Sequence, residues 1–175
     1  PGYDDFFVLR YNSNGALDTS FGTGGVAQTD FGGDDVAQTI KVQSDGKIIV
    51  AGYTSPNGAA ADFALARYNP NGSLDTTFGT NGKTTTSIVG SGYDIITDMA
   101  IQSDGKIIAL GYANVGINNN GIVVVRYNTN GSLDTSFDID GILSLNLSNR
   151  DDFGTSVEIQ TEQKIIVGGT TFNGS

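Results

Sequence analysis

Carboxylates gathered around turns are the side chains of this chain with the clearest potential for chemistry. In the third of three related segments, Asp134, Asp138 and Asp140 closely precede Gly141, and calcium prefers clustered carboxylate oxygens. The spacing is not that of an EF-hand loop, because no Glu occupies the twelfth position. The favoured interpretation is an ordinary turn, in which each Asp hydrogen-bonds to its own backbone. A calcium site at these three residues is the alternative hypothesis.

Catalytic chemistry is narrowly bounded, because the sequence has no His and no Cys. Ser–His triads, thiol nucleophiles, disulfides and ordinary zinc sites are therefore excluded. Paired Asp residues can hydrolyse glycosides at the right separation, but Asp34–Asp35 and Asp151–Asp152 are typical turn acids. We predict no catalytic residue and no cofactor, with calcium as the one alternative. The alternative from another class is a carboxylate-dependent hydrolase or lyase acting on a polysaccharide.

The overall charge excludes further functions. The chain carries 19 acidic and 9 basic residues, for a net charge of −10, whereas nucleic-acid binding needs clustered Lys and Arg. No apolar run approaches the roughly 18 residues of a membrane helix. Leu, Ile, Val and Phe together make up 46 of the 175 residues, enough for a packed core. The abundance of Gly and Asp, which favour turns, predicts short strands joined by many turns.

Internal repetition dominates the sequence. An Arg-Tyr-Asn triplet recurs at spacings of 57 and 59 residues, and each copy is followed by Asn-Gly, Leu-Asp-Thr and Phe. The triplets begin at Arg10, Arg67 and Arg126, and the following aromatic residues are Phe21, Phe78 and Phe137. A Lys-Ile-Ile segment recurs at Lys47, Lys106 and Lys164, with Gly52, Gly111 and Gly169 after it. The chain therefore consists of three copies of one unit.

The apolar pattern of one unit predicts four short strands. An apolar run from Phe6 to Tyr11 ends at an Asn-Gly turn, and a second strand is expected near Val26 to Thr29. In the third strand, Val36, Ile40 and Val42 alternate with Ala37, Thr39 and Lys41, so we expect the first set on one face. A Ser-Asp-Gly hairpin then leads into the fourth strand, Lys47 to Gly52. The same face should carry Ile95, Met99 and Ile101 in the second copy, and Phe153, Val157 and Ile159 in the third.

The repeated pattern resembles the bacterial delta-60 repeat family. The resemblance rests on RYN-x-NG-x-LD-x-SFG and SDGKIIVAG and covers the whole chain. It implies β-propeller blades in large secreted or cell-surface proteins, with no established activity and no catalytic residues. The third copy departs from the pattern, since Glu162-Gln163 replaces Asp-Gly in the hairpin and Asp138 replaces a Gly.

Three units predict half of a propeller. The fold expected is all-β, with residues 1–175 forming one domain of three four-stranded antiparallel blades. Propellers usually close with 4 to 8 blades, so two chains can form a six-bladed ring as a head-to-tail homodimer. The N-terminal strand would then complete a blade that begins at a C-terminus, since the spacing from Gly169 through Ser175 and Pro1 to Arg10 nearly matches the internal spacings. The alternative is a segment of a longer array.

Repeated residues indicate structural roles. We expect the three repeated Arg residues to pair with carboxylates and the three repeated Phe residues to fill the core between blades. The candidate carboxylates are Asp18, Asp75 and Asp134, or else Asp35, Asp94 and Asp152.

The segments that differ most between copies indicate where a ligand would bind. They precede the third strand and follow the fourth, which an up-and-down order brings to one face of the ring. They are residues 31–33, 90–92 and 147–149, together with 55–57 and 116–120. Loops on a rigid scaffold commonly carry recognition, although neutral drift explains the variation equally well. We predict a non-catalytic interaction or structural module of a bacterial protein, extracellular or on the cell surface, that binds a protein or carbohydrate on this face.

Overall fold

The computed structural model describes residues 3–56, 58, 60–88, 90, 92–115 and 119–172. These residues form twelve β-strands, numbered β1 to β12 in chain order. The strands are Phe6–Leu9 (β1), Val26–Thr29 (β2), Asp34–Val42 (β3), Ile48–Ser55 (β4), Asp62–Tyr68 (β5), Lys83–Thr86 (β6), Ile95–Ile101 (β7), Ile107–Ala113 (β8), Gly121–Tyr127 (β9), Ile142–Leu145 (β10), Asp152–Ile159 (β11) and Ile165–Thr171 (β12). In this part of the chain no helix is long and apolar enough to cross a membrane.

The strands form four antiparallel sheets, which confirms the all-β prediction. Two sheets are four-stranded, in the orders β3-β4-β5-β6 and β7-β8-β9-β10, and two are two-stranded, β1-β2 and β11-β12. Each four-stranded sheet takes its first two strands from one sequence repeat and its last two from the next. The four strands of one repeat are therefore divided between two neighbouring sheets. Of three expected four-stranded sheets, the described residues form two.

The hairpins between the third and fourth strands of each repeat form as predicted. In the first copy, Gln43 N–H donates to the Lys47 carbonyl at 2.8 Å, and Gly46 adopts a φ of 82°. In the third copy the equivalent residue is Gln163, which takes the same left-handed region with a φ of 61°. The turn therefore survives the loss of its Gly, although positive φ is uncommon for a residue with a Cβ.

A β-bulge overturns the predicted alternation of the third strands. The pairing of β3 with β4 shifts between Ala37 and Thr39, so that Val36 lies opposite Tyr53 while Ile40 lies opposite Val50. Because Tyr53 and Val50 are three positions apart, Val36 and Ile40 lie on opposite faces of the sheet. Equivalent shifts occur in β7 and β11.

The core lies between neighbouring sheets. The largest apolar cluster joins the two four-stranded sheets, and it includes Phe63 and Leu65 from one sheet and Met99 and Val123 from the other. A second cluster packs the β1-β2 sheet against β4 and β5, and a third packs β11 against β8 and β9. The sheets therefore stack face to face in chain order, as blades of a propeller do.

Candidate functional site

An arginine, a carboxylate and an aromatic ring form the same cluster in each repeat. In the second copy, Arg67 on β5 donates from Nε to Asp75 Oδ2 at 2.8 Å, and its guanidinium lies 4.6 Å from the centre of the Phe78 ring. The corresponding ion pairs are Arg10–Asp18 at 2.8 Å and Arg126–Asp134 at 2.7 Å. The corresponding rings are Phe21 and Phe137, each 4.7 Å from its guanidinium. Of the two predicted sets of carboxylates, the first is confirmed. We call these groups the arginine clusters.

A lysine completes two of the arginine clusters. Lys47 Nζ lies 2.9 Å from Asp75 Oδ2, and Lys106 Nζ lies 2.8 Å from Asp134 Oδ2. Burial opposes the ionisation of Asp75, but the Thr77 hydroxyl and the two cations outweigh it and hold the pKa of Asp75 well below its usual value. Lys106 and the Ser136 hydroxyl lower the pKa of Asp134 similarly. Both carboxylates are therefore charged at neutral pH.

The arginine clusters also connect consecutive sheets. A terminal nitrogen of Arg67 donates to the Thr129 carbonyl, and Gly79 N–H donates to the Asn130 carbonyl at 2.7 Å. A Cβ at Gly131 would lie 2.8 Å from the Phe78 ring, so this Gly lets the ring pack directly on the next connection. Contacts of the same three kinds recur one repeat earlier: Arg10 with the Pro70 carbonyl, Gly22 N–H with the Asn71 carbonyl, and Phe21 beside Gly72. These contacts give the arginine clusters the predicted structural role.

At each end of the described chain, the arginine cluster lacks some of the contacts that the internal clusters make. Asp18 has its arginine but no lysine partner among the described residues, and a Cβ placed on Gly15 would meet no described atom within 4 Å. At the other end, Arg126 makes no bond to a backbone carbonyl within the described ranges, and Phe137 is only partly buried. Phe21 and Phe78 are fully buried, so the predicted core role is confirmed for these two rings.

The predicted calcium ligands do not come together. Asp134 Oδ2 faces Lys106 and Arg126, whose positive charges oppose a second cation. Asp138 adopts a φ of 52°, close to the 55° and 51° of Gly22 and Gly79, which occupy the same position in the first and second copies. Asp140 Oδ1 accepts the Ile142 N–H at 3.0 Å, as in an ordinary turn. These three Asp residues are not among the clustered carboxylates found in the described residues.

Two of the predicted variable segments, the one after β8 and the one before β11, lie together. Asn119 donates from its side chain to the Arg150 carbonyl at 2.9 Å, which joins the loop after β8 to the loop before β11. A pocket of about 550 Å³ lies here, lined by Asn and Ser side chains and Leu147. A separate pocket beside Arg67 lies where the hairpins after β3 and β7 meet the long connections after β5 and β9. Asn57, Ser91 and residues 116–118 of the predicted surface lie outside the described residues, as do Pro1 and Ser175.

A group of three carboxylates that the sequence patterns did not reveal lies beside the variable segment at residues 31–33. Asp5, Asp30 and Asp35 each place a carboxylate oxygen within 4.8 Å of the others, and they form the only such group of three among the described residues. A comparison of the three copies could have revealed the group, because the positions of Asp5 and Asp30 are both acidic in the first copy alone.

Comparison with known proteins agrees with the stacked sheets. A family model described as "domain of unknown function (DUF5122) beta-propeller" matches residues 2–21, 43–78 and 102–137, which is more than half of the chain. A search among curated proteins found no match.

Proposed function

Because the chain belongs to the DUF5122 β-propeller family, a repeat family of the β-propeller type, we propose that it is a non-catalytic propeller module whose ring is closed by a second copy of the chain. The observation that carries this proposal is the pair of two-stranded sheets. By repeat position, β11-β12 corresponds to the first half of a four-stranded sheet and β1-β2 to the second half. Together they supply the strands of one further complete sheet.

The internal sheets supply the register for this pairing. In the two complete sheets, Ile48 pairs with Tyr68 and Ile107 with Tyr127. The same pairing between copies puts Ile165 of β12 opposite Tyr11 of the second chain. Gly169 would then lie opposite Phe7, as Gly52 lies opposite Ala64. This pairing would cover two strand edges that are otherwise open to unspecific pairing.

The incomplete arginine clusters are complementary in the same register. Lys164 occupies the repeat position of Lys47 and Lys106 and has no ion pair among the described residues. A second copy would bring Lys164 to Asp18, the one cluster carboxylate without a lysine. It would likewise bring Phe137 against Gly15, as Phe78 packs against Gly131. Each missing contact at one end therefore has its partner group at the other end.

The apolar residues exposed at the ends support burial in an interface. Phe7 is 63% exposed and Ile40 is 52% exposed, whereas Ala64 and Met99 at the equivalent internal positions are fully buried. At the other end, Ile166 is 50% exposed while its equivalent, Ile108, is fully buried. Covering these side chains would be favourable, since burial of apolar area stabilises by about 25 cal/mol per Å². Two copies would form six blades, within the usual range of 4 to 8.

The carboxylates favour a structural role over catalysis. Asp75 and Asp134, with lowered pKa values, are held by basic and hydroxyl partners, whereas a general acid needs a raised pKa. Asp35 does have a raised pKa, but it is only 2% exposed, which leaves little access for a substrate. As part of this proposal, the variable loops would carry a protein or carbohydrate ligand. The resemblance to delta-60 repeats supports a location outside a bacterial cell.

Sedimentation equilibrium at micromolar concentration tests the closed ring. We expect a mass about twice 18.2 kDa. The substitution Phe7→Glu should shift the mass towards that of one chain, because a charge would replace an interface side chain. Leu147→Glu is the matched control, since Leu147 is 59% exposed on the variable loops, and its mass should stay double. A single-chain mass for the unsubstituted protein would refute closure by a second copy.

A further inference from the structure

The pocket beside Arg67 lies in the gap between two consecutive hairpins. It has a volume of about 470 Å³ and is lined by Ser44 and Asp45 from the hairpin after β3 and by Gly105 from the hairpin after β7. Thr129, from the connection after β9, lines it as well. We call it the hairpin pocket. It lies at the opposite ends of the strands from the variable loops.

The cations that line the hairpin pocket are already neutralised. Arg67 donates to Asp75 Oδ2 and to the Thr77 hydroxyl, and Lys47 Nζ lies 2.9 Å from the same Asp75 oxygen. The carboxylate of Asp45, by contrast, is more than half exposed, and its Oδ2 lies 3.9 Å from Lys47 Nζ, beyond hydrogen-bond distance. The hairpin pocket therefore offers a hydrogen-bond acceptor and no free positive charge, which suits a neutral ligand that can donate.

A backbone donor at the hairpin pocket has no partner within the chain. Ser44 lies two residues after β3, and its N–H bonds to none of the residues that the structure describes. The residue is exposed, so water reaches this N–H. A ligand atom that displaces this water must reproduce its hydrogen bond. The ligand therefore needs an acceptor for Ser44 as well as a donor for Asp45.

The next gap along the chain shows which group fits against such an N–H. Ser103 is the repeat equivalent of Ser44, and Gln163 is the equivalent of Gly105. In that gap, Gln163 Oε1 accepts the Ser103 N–H at 3.2 Å. The chain itself thus places a carboxamide from one hairpin against the backbone of the neighbouring hairpin. Gly105 has no side chain to do the same, and the corresponding space is the open hairpin pocket.

We propose that the hairpin pocket binds a primary carboxamide, in the position that Gln163 fills one gap later. The carbonyl oxygen of the ligand would accept the Ser44 N–H, and its amide nitrogen would donate to the Asp45 carboxylate. A ligand carboxylate would lack that donor and would meet the negative charge of Asp45. The site goes beyond the module proposed above, and it does not depend on ring closure, because all its residues belong to one chain.

A titration followed by the backbone amide resonances tests the site. The probe is the blocked peptide acetyl-Gly-Gln-Gly-N-methylamide, whose only primary carboxamide is the glutamine side chain. The Ser44 amide resonance should shift and saturate, with a dissociation constant on the order of 1 mM for so small a contact. The Ser103 amide is the matched control in the same spectrum and should stay in place, because Gln163 already occupies its N–H.

Two further probes define the chemistry of the ligand. The same peptide with Glu in place of Gln should bind about fivefold more weakly, since it loses one hydrogen bond. Propionamide carries the carboxamide without a peptide. Equal affinity for propionamide and the Gln peptide would identify a free amide as sufficient, whereas tighter binding of the peptide would identify a peptide side chain as the ligand.

Two exchanged residues turn the gaps into each other. Gln163→Gly gives the third hairpin the residue of the other two copies, and the Ser103 amide should then shift with the Gln peptide. Gly105→Gln should fill the hairpin pocket and abolish the response of Ser44. Gln163 already adopts a positive φ of 61°, but a Cβ at Gly105 would lie 3.0 Å from Thr129 Cγ2. Gln163→Gly therefore keeps the test decisive if Gly105→Gln does not fold.

Three results would overturn the proposal. They are an unmoved Ser44 amide at millimolar Gln peptide, binding of the Glu peptide as tight as that of the Gln peptide, and an unmoved Ser103 amide in Gln163→Gly. Each result is read at a single resolved amide, so none of them depends on whether two chains close a ring. The native mass of the unsubstituted protein decides that question separately.

Discussion

Arg67 and Asp75 form an ion pair, with Nε and Oδ2 2.8 Å apart, in which both residues are almost completely buried. The pair connects β5 to the connection that follows it, and Lys47 joins it from the start of β4. The equivalent pair, Arg10–Asp18, has the same separation but is partly exposed. The same two residue types at the same repeat positions therefore occupy two different environments, and they should contribute differently to stability.

Replacement of the buried arginine should cost much more than replacement of the exposed one. Arg67→Ala should lower the free energy of unfolding by about 3–5 kcal/mol, because it leaves the Asp75 charge buried with a single lysine. In the single chain, Arg10→Ala should cost about 1 kcal/mol or less, since solvent screens its ion pair. Urea unfolding of the two variants measures both values. Equal losses would contradict the assigned difference in burial.

Stability should fall in acid because of the arginine clusters. The pKa values of Asp75 and Asp134 are lowered in the folded state, so their contribution is fully present above the unfolded pKa of about 3.9. It should be lost progressively as the pH falls below about 4 towards the lower folded values. Urea unfolding at a series of pH values measures this slope. Asp75→Asn should show a shallower slope over the same range, and an unchanged slope would argue against the assignment.

Two buried tyrosines each share a hydrogen bond with a threonine of the preceding repeat. Tyr127 donates to Thr86 Oγ1 at 2.9 Å, and burial raises the pKa of Tyr127 well above its ordinary value. Tyr127→Phe should lower the free energy of unfolding by about 1–2 kcal/mol, because the Thr86 hydroxyl is left buried without its partner. Tyr11→Phe is the control, since Tyr11 is 59% exposed, and in the single chain it should be nearly neutral. Urea unfolding of both variants measures the difference.

The glycine that follows each Lys-Ile-Ile segment should not tolerate a side chain. A Cβ at Gly111 would lie 1.9 Å from the Ile95 carbonyl oxygen, next to the bulge in β7. Gly111→Ala should therefore lower the free energy of unfolding by about 3 kcal/mol or more, or prevent folding. A Cβ at Gly90 would meet no described atom within 4 Å, so Gly90→Ala should change stability by no more than about 0.5 kcal/mol. Comparable circular dichroism melts for both variants would contradict the close approach.

Two lysines at equivalent repeat positions should separate folding from assembly. Lys106 pairs with Asp134 inside one chain, so Lys106→Ala should lower the unfolding free energy without changing the native mass. Lys164→Ala should leave the unfolding free energy of the single chain almost unchanged and weaken association of two chains. Sedimentation over a range of concentrations measures that association. A dimer that is unaffected by Lys164→Ala would contradict the register proposed for β12 and β1.

Much of the architecture follows from repetition and local patterning. The second strand has the bounds that its residue types predict, Val26–Thr29, and the hairpins form where turn residues separate two apolar runs. The pairing of Arg10 with Asp18 was one of two possibilities that the sequence offered, since Asp18 follows Arg10 by eight positions across one turn. Such features depend on short-range geometry, which residue types and spacing constrain strongly.

Tertiary structure decided how the strands are grouped and which acids meet. The sequence indicated a blade shared between the two chain ends, but it did not show that each complete sheet takes two strands from each of two repeats. Nor did it show that Asp134 would be neutralised by Lys106, which lies 28 residues away. The group at Asp5, Asp30 and Asp35 likewise depends on the packing of β1-β2 against β3. Contacts between distant segments depend on strand pairing and the packing of sheets, and the local sequence specifies neither.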